Sequence, residues 1–315
     1  MALSSLRIRQ GISAIRGIDL RTASIDLLRE RLDALSIGHR VGMPLFPPNQ
    51  VFWRAVRWRA DQQPTHRCQL TYPLPRYVKS NGRANRAGSP LFYGSSSATG
   101  CFYELEIAEG DHVALSKWRT VRPLIFQYIG YGKDSFAALA SSREAPSWVT
   151  PITAADQRLR KFLSTEFSKR VSVGDEHLYK LSIAIAESLI LSDINVVGRL
   201  HVELPAGERP RFAGVLYPSV EMQANSDNGA LLPWAADEAL QLELTEWIRV
   251  ESRPDATSLS FTTLDFANSF GANGSIKWKG RLPQVTVQAG ATLTINLEDS
   301  RYVVRNQAGA IVEPF

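Results

Sequence analysis

The stretch Asn81–Glu106, NGRANRAGSPLFYGSSSATGCFYELE, holds two arginines, four glycines, a run of hydroxyl residues, aromatics and a carboxylate. Packing alone rarely needs that mix, because cations and carboxylates are costly to bring together inside a fold without a reason. A site that grips a phosphorylated ligand and does chemistry beside it needs all of them. Within the stretch, SPLFYGS reads as a short strand ending in a turn. Ser95, Ser96 or Ser97 can then cap a helix through ATGCFYELEIAEG, although Gly100 counts against it.

Outward from there, VFWRAVRW (Val51–Trp58) shows the aromatic and β-branched pattern of a strand, and HVALSKW and RPLIFQYIGYG read as further strands. DEHLYKLSIAIAESLILS predicts an amphipathic helix, and RFAGVLYPSV a strand running into a turn. LPWAADEALQLELTEWIRV mixes loop with helix or strand. At the N-terminus, TASIDLLRERLDALSIG spaces Ile25, Leu27, Leu28, Leu32 and Leu35 at roughly helical intervals, with Thr22 or Ser24 as cap and Gly38 as stop. MPLFPPNQ breaks any helix, so residues 1–47 read as a helical arm. That arm is expected to pack on the body, to cover the site or to form an oligomer contact. The alternating tail with its two GA turns reads as a small appended sheet. The expected divisions are 1–47, a body 48–245 with an insertion near 132–175, and a β-rich extension 246–315.

The chain has 315 residues, 44% of them apolar, which supports a sizeable core. Its 36 Lys and Arg against 31 Asp and Glu give a formal charge of +5. That suits an anionic ligand, but no basic block is dense enough for a nucleic-acid surface. Cys68 and Cys101 lie outside any CxxC spacing, so neither a disulfide framework nor a zinc site is expected. No apolar run reaches membrane-spanning length, and the N-terminus lacks the apolar core of a signal peptide. A cytoplasmic protein is the expectation. The five histidines are scattered, with no HExxH. There is also no GxxxxGK[ST] and no GxSxG, and no metal is expected. GSSSATG, Gly94–Gly100, resembles a phosphate-cradling loop only loosely.

What remains is a set of separate residues. Alternation along β-like VFWRAVRW puts Arg54 on one face with Phe52 and Val56, where a guanidinium needs an anion or a structural ion pair. Arg83 follows a glycine at a turn. Tyr93 ends a strand. Glu104 falls eleven residues later on a helix, and Ser219 ends the strand GVLYPS. Each of these is more often structural when met alone. Together they offer two cations for a diphosphate, a ring for stacking, a carboxylate for a cationic transition state and a hydroxyl to orient it.

The order FWRAV, NGRANRAGSPLFYGSSSATGCFYEL, LYKLSIAIAESL, GVLYPSV resembles the RES domain family, named for its arginine, glutamate and serine. Its members are mostly toxins of bacterial toxin–antitoxin pairs that degrade NAD. On this resemblance Arg54, Glu104 and Ser219 take the catalytic positions, and Arg54, Arg83, Asn85, Tyr93 and Ser219 the substrate-binding ones. It covers roughly residues 50–235. It implies an α+β fold with an ADP-ribosyltransferase-like split β-sheet core and flanking helices, to which the helical arm and the β-rich extension are added. It further implies NAD as substrate and a cognate antitoxin as partner, a small helical protein that blocks the cleft. The acceptor of the ribosyl group stays open between water, phosphate and a macromolecular side group. ELE at Glu104–Glu106 echoes the E-x-E of some transferases. A catalytically inactive nucleotide- or partner-binding module is the reading from a different class.

Overall fold

The structure, a computed structural model, describes residues 4–37, 45–105, 107–129, 131, 153–172, 174–191, 211–219, 227–252, 260–280, 292–296, 301–305 and 311–314. They divide into two compact units, Met1–Lys279 and Gly280–Phe315.

The larger unit is built on strands β1 (Leu45–Phe46), β2 (Val51–Trp58), β3 (Phe92–Ser95), β4 (His112–Thr120), β5 (Leu124–Tyr128), β6 (Phe212–Pro218), β7 (Asp227–Leu231), β8 (Leu240–Ser252) and β9 (Ser260–Ala267). They form one sheet in the order β1-β5-β6-β7-β3-β2-β4-β8-β9. Every pairing is antiparallel except β5–β6. A parallel pair needs a long crossover, and the connection after β5 contains the helices α4 (Ala154–Phe167) and α5 (Tyr179–Ile190). The remaining helices are α1 (Ser5–Arg16), α2 (Ile25–Ser36), α3 (Ala98–Glu104) and α6 (Pro233–Ala239).

The sheet is continuous but narrow at its middle. β2 runs along β4 for eight register pairs, from Val51↔Arg119 to Trp58↔His112. β3 runs along β7 for its whole length. Between β2 and β3 there is one register pair, Trp53↔Ser95. The next residues, Arg54 on β2 and Tyr93 and Gly94 on β3, therefore stand where the ladder stops. Close approach is needed there. A Cβ on Gly94 would sit 3.1 Å from the Trp53 carbonyl and 3.3 Å from Phe52 Cβ, and one on Gly229, opposite it on β7, would sit 3.0 Å from the Phe52 ring. The two glycines leave room for Phe52 to cross the junction.

Apolar residues cover both faces of this sheet. Ile8, Ile12 and Ile15 of α1, Leu28, Leu32 and Leu35 of α2, Leu159, Phe162 and Phe167 of α4 and Leu181, Ala184 and Ile185 of α5 pack with Val215, Tyr217 and Ala230. A second cluster joins Phe52, Phe92, Trp118, Phe126 and Leu231 to Ala235, Ala236 and Ala239 of α6. Burial of such side chains contributes about 1.5–3 kcal/mol each, so α1 and α2 are part of the body. The division drawn at residue 47 separates nothing, because both helices belong to that first cluster. The boundary at 245 cuts through β8, which pairs with β4 from Leu240 to Arg249. β8 and β9 extend the main sheet, and the separate β unit begins at Gly280. Part of the expected insertion, residues 132–152, lies outside the described residues; α4 fills 154–167.

Several local expectations match the structure. Ser24 caps α2, its hydroxyl accepting from Leu27 N at 3.1 Å. Ser97 caps α3, accepting from Gly100 N at 3.0 Å. LPWAADEALQLELTEWIRV resolves into α6 followed directly by β8. The smaller unit is a three-stranded antiparallel sheet of β10 (Thr292–Asn296), β11 (Arg301–Arg305) and β12 (Ile311–Pro314). Among the described residues no helix is long and apolar enough to cross a membrane.

Candidate active site

A cleft of about 400 Å³ opens at the narrow middle of the sheet. Its lining includes Arg54, Arg83, Tyr93, Gly94, Ser95, Cys101, Glu104, Tyr179, Tyr217 and Asn228. A larger hollow of about 710 Å³ lies between α1 and α2, but no carboxylate lines it, and its residues include Arg7, Gln10, Leu27 and Arg31. Convergent polar groups of opposite charge mark the smaller cleft as the site.

Glu104 ends α3. Strand β3, the Ser96–Ser97 turn and two helical turns carry the chain from Tyr93 back over the sheet, which is why a spacing of eleven brings the carboxylate to the junction. Its Oε1 accepts from Ser219 Oγ at 2.9 Å and from Asn228 Nδ2 at 2.7 Å. Ser219 follows β6 and Asn228 lies on β7, paired with Ser95 and Tyr217. One carboxylate oxygen is thus tied to two adjacent strands, and among the described residues no hydrogen bond is made to Oε2. Both partners are buried, and among the described residues Asn228 Oδ1 has no hydrogen-bond partner. Leaving such an oxygen unpaired costs about 1–3 kcal/mol. The amide cannot turn to relieve it without withdrawing its NH₂ from Glu104.

Arg54 is half-buried and meets no carboxylate among the described residues. Its Nε donates to Thr71 O at 2.9 Å and its Nη1 to Tyr93 O at 2.7 Å, in place of the missing β2–β3 ladder bonds. The guanidinium lies 5.3 Å from the centre of the Phe92 ring. Burial draws its pKa down to about 10, so it stays charged at neutral pH. A structural ion pair is therefore not what holds it. Arg83 reaches the end of α4, donating to the carbonyls of Phe167 and, at 3.1 Å, Lys169. Those bonds satisfy helix-end carbonyls, and among the described residues Arg83, like Arg54, meets no acidic partner. Two guanidinium groups that meet no carboxylate among the described residues line the same cleft.

Tyr93 presents its ring to the cleft and turns its hydroxyl away. The hydroxyl donates to Asn85 Oδ1 at 2.8 Å and accepts from Ala84 N at 3.0 Å, while burial raises its pKa. Gly82 makes this contact possible, since a Cβ there would lie 2.5 Å from Asn85 Oδ1. The structure gives Asn85 a supporting place rather than a ligand-facing one: Oδ1 holds Tyr93 and Nδ2 donates to Arg86 O at 3.0 Å. It lines a neighbouring cavity of about 230 Å³.

Sequence reasoning missed Asn228, Tyr179 and Tyr217. Asn228–Gly229 has the look of a turn dipeptide, which hides a strand residue. Cys101 lines the cleft, but burial pushes its thiol up to about 12, so it is not a thiolate nucleophile. Glu106, the second acid of ELE, lies outside the described residues. Among the described residues no group of three or more His, Cys, Asp or Glu is placed to hold a metal ion.

Comparison of the chain with protein-family models, with curated proteins and with solved structures gave no match.

Proposed function

We propose that the chain is a RES-type enzyme that cleaves the bond between nicotinamide and ribose in NAD, with water or phosphate as acceptor. The observation that carries this reading is Glu104: one carboxylate oxygen is clamped by Ser219 and Asn228, and the cleft beside it is lined by two arginines that meet no carboxylate among the described residues. The sheet narrowed at β2–β3 is compatible with the split core that the family resemblance implies.

In this reading Arg54 and Arg83 bind the pyrophosphate with their unused N–H donors. The rings of Tyr93, Tyr179 and Tyr217 enclose the nicotinamide riboside. As the C1′–N1 bond breaks, its electron pair moves to the pyridinium nitrogen and neutral nicotinamide leaves. The ribosyl carbon becomes oxocarbenium-like, and the charge of Glu104 stabilises it. Water or phosphate then bonds to C1′, and any proton released passes to Glu104 or to solvent. The sets of contacts at Oε1 keep the carboxylate from swinging away from that carbon.

The same reading makes the protein a cytoplasmic toxin with a cognate antitoxin seated over the cleft. The experiment that tests it is incubation of the purified protein with NAD, with and without inorganic phosphate, and analysis of both products. Nicotinamide with ADP-ribose indicates water as acceptor, and nicotinamide with ADP-ribose 1-phosphate indicates phosphate. NAD left intact by folded protein under both conditions would overturn cleavage of free NAD.

A further inference from the structure

The loop Asn81–Gly88 carries Arg83 and Asn85, yet it contributes no strand or helix. It is held by turn bonds and by anchors. Gly82 N donates to Asn85 O at 2.9 Å, and Ala87 N to Asn81 Oδ1 at 3.0 Å. Asn85 and Ala84 hold Tyr93, and Arg83 reaches the end of α4. The remaining anchor is Arg86. Its Nε and Nη2 donate to the two oxygens of Glu187 on α5, both at 2.6 Å, and its Nη1 and Nη2 donate to the two oxygens of Asp26 on α2 at 3.1 and 2.7 Å. Arg29 closes the group at 3.6 Å from Glu187 and 3.8 Å from Asp26.

We propose that Arg86 is a positioning residue of the cleft, and that through it the N-terminal helix α2 sets where Arg83 and Tyr93 stand. The cluster holds two cations and two carboxylates, so its charge is balanced, unlike that of the cleft. The direction of dependence follows from what else holds each part. Helix α2 is fixed without Arg86: Leu28, Leu32 and Leu35 are buried, Lys180 donates to the carbonyls of Arg21 and Ala23 at 3.0 and 2.9 Å, and Ser188 bonds Asp33. The loop's other described ties, the Gly88 N bond to Val78 O at 2.8 Å and the buried Ala84, do not reach the carboxylates of α2 and α5. Bidentate bonding makes Arg86 directional, because a guanidinium fork fits a carboxylate in one plane. Its backbone carbonyl is also the acceptor for Asn85 Nδ2. A shift of Arg86 therefore moves the group that orients the Tyr93 hydroxyl and, three residues back, Arg83.

The catalytic arm of the test rests on the NAD reading, and the hydrogen-exchange arm does not. Amide exchange is followed at Gly82, Ala84 and Ala87 in the full chain, in Arg86→Gln and in the milder Asp26→Asn, which keeps the Glu187 pair. Arg86→Gln is expected to speed exchange at these three amides on the order of tenfold and to leave the β4–β8 amides unchanged, with a smaller effect in Asp26→Asn. With NAD as substrate, Arg86→Gln raises KM about tenfold while kcat changes by less than about threefold. Arg86→Lys, which keeps the charge but not the fork, recovers only part of that. Combining Arg86→Gln with Arg83→Ala adds nothing beyond Arg83→Ala alone, because residues acting through one another are not additive. Unchanged exchange in the loop of both variants, or full additivity with Arg83→Ala, would overturn the proposal. If the unaltered chain releases no nicotinamide, the functional reading fails and the exchange result still decides this one.

Discussion

Two groups of arginine meet the loop Asn81–Gly88, and they treat charge differently. Arg86, with Arg29, is matched by Asp26 and Glu187 in a closed set of ion pairs between α2, α5 and the loop. Among the described residues Arg54 and Arg83 give their donors to backbone carbonyls and meet no carboxylate. A paired guanidinium is part of the frame. A half-buried guanidinium bonded to neutral oxygens has lost part of its hydration without gaining a counter-charge, and an anionic ligand can supply what is missing. The cleft and the clamp are built from the same residue type, and the presence or absence of a carboxylate separates their roles.

The comparison breaks most visibly at Arg54. Arg54→Gln keeps a hydrogen-bonding side chain and removes the charge. It is expected to raise KM for NAD on the order of a hundredfold, as loss of charge-assisted bonds to phosphate does. An unchanged KM, measured by nicotinamide release over a range of NAD concentrations, would mean that Arg54 is only a structural strut across β2 and β3.

Glu246 sharpens the comparison from the acidic side. It is buried on β8 between Leu115 and Phe266, and desolvation lifts its pKa from the ordinary 4.5 to about 7. It answers burial by holding its proton instead of finding a cation. Because the folded chain binds that proton more tightly than the unfolded one, stability is expected to fall as pH rises from 4.5 toward 7 and then to level off. Glu246→Gln removes this slope and stabilises the protein at pH 8 on the order of 2 kcal/mol. Denaturant midpoints of the two proteins at pH 5 and pH 8 test it, and parallel pH dependences would contradict it.

Ser219→Ala has a smaller effect. Asn228 still holds Glu104 Oε1, so the carboxylate loses one of two donors. The expected result is a fall in kcat of about tenfold with little change in KM. A larger loss than that from Glu104→Gln would show that Ser219 acts on the substrate directly.

Elements with strong local signals were legible from the sequence. The alternation in VFWRAVRW matches β2, and of the alternative caps the sequence offers, Ser24 of Thr22 or Ser24 and Ser97 of Ser95, Ser96 or Ser97 cap their helices. The meeting of Glu104 with Ser219, separated by 115 positions, followed from a resemblance and not from periodicity. What the sequence hid was longer in range. Ile8, Ile12 and Ile15 carry a helical spacing in α1, but Gly11 and Gly17 dilute it; Gly11 is there because a Cβ would lie 2.5 Å from Leu35 on α2. The apolar stripe of α2 shows that it packs and not what it packs on, so the arm looked separable from the body. The turn-like look of Asn228–Gly229 concealed a donor to the central carboxylate. Asn85 took its substrate-binding place from the family resemblance, and the sequence gives no sign that both ends of its amide are used within the fold, by Tyr93 and by the Arg86 carbonyl.

The most direct test of the account measures NAD binding and nicotinamide release on one preparation of Glu104→Gln beside the unaltered chain. Carboxylate and carboxamide are close in shape, and Glu104 Oε1 can be replaced by the amide oxygen in accepting from Ser219 and Asn228. The account predicts that the variant binds NAD with a dissociation constant within about threefold of the original, while its release rate falls on the order of a hundredfold or more, as for loss of a transition-state charge. Release at the original rate by the variant would contradict it, because the charge of Glu104 would then play no part in breaking the bond.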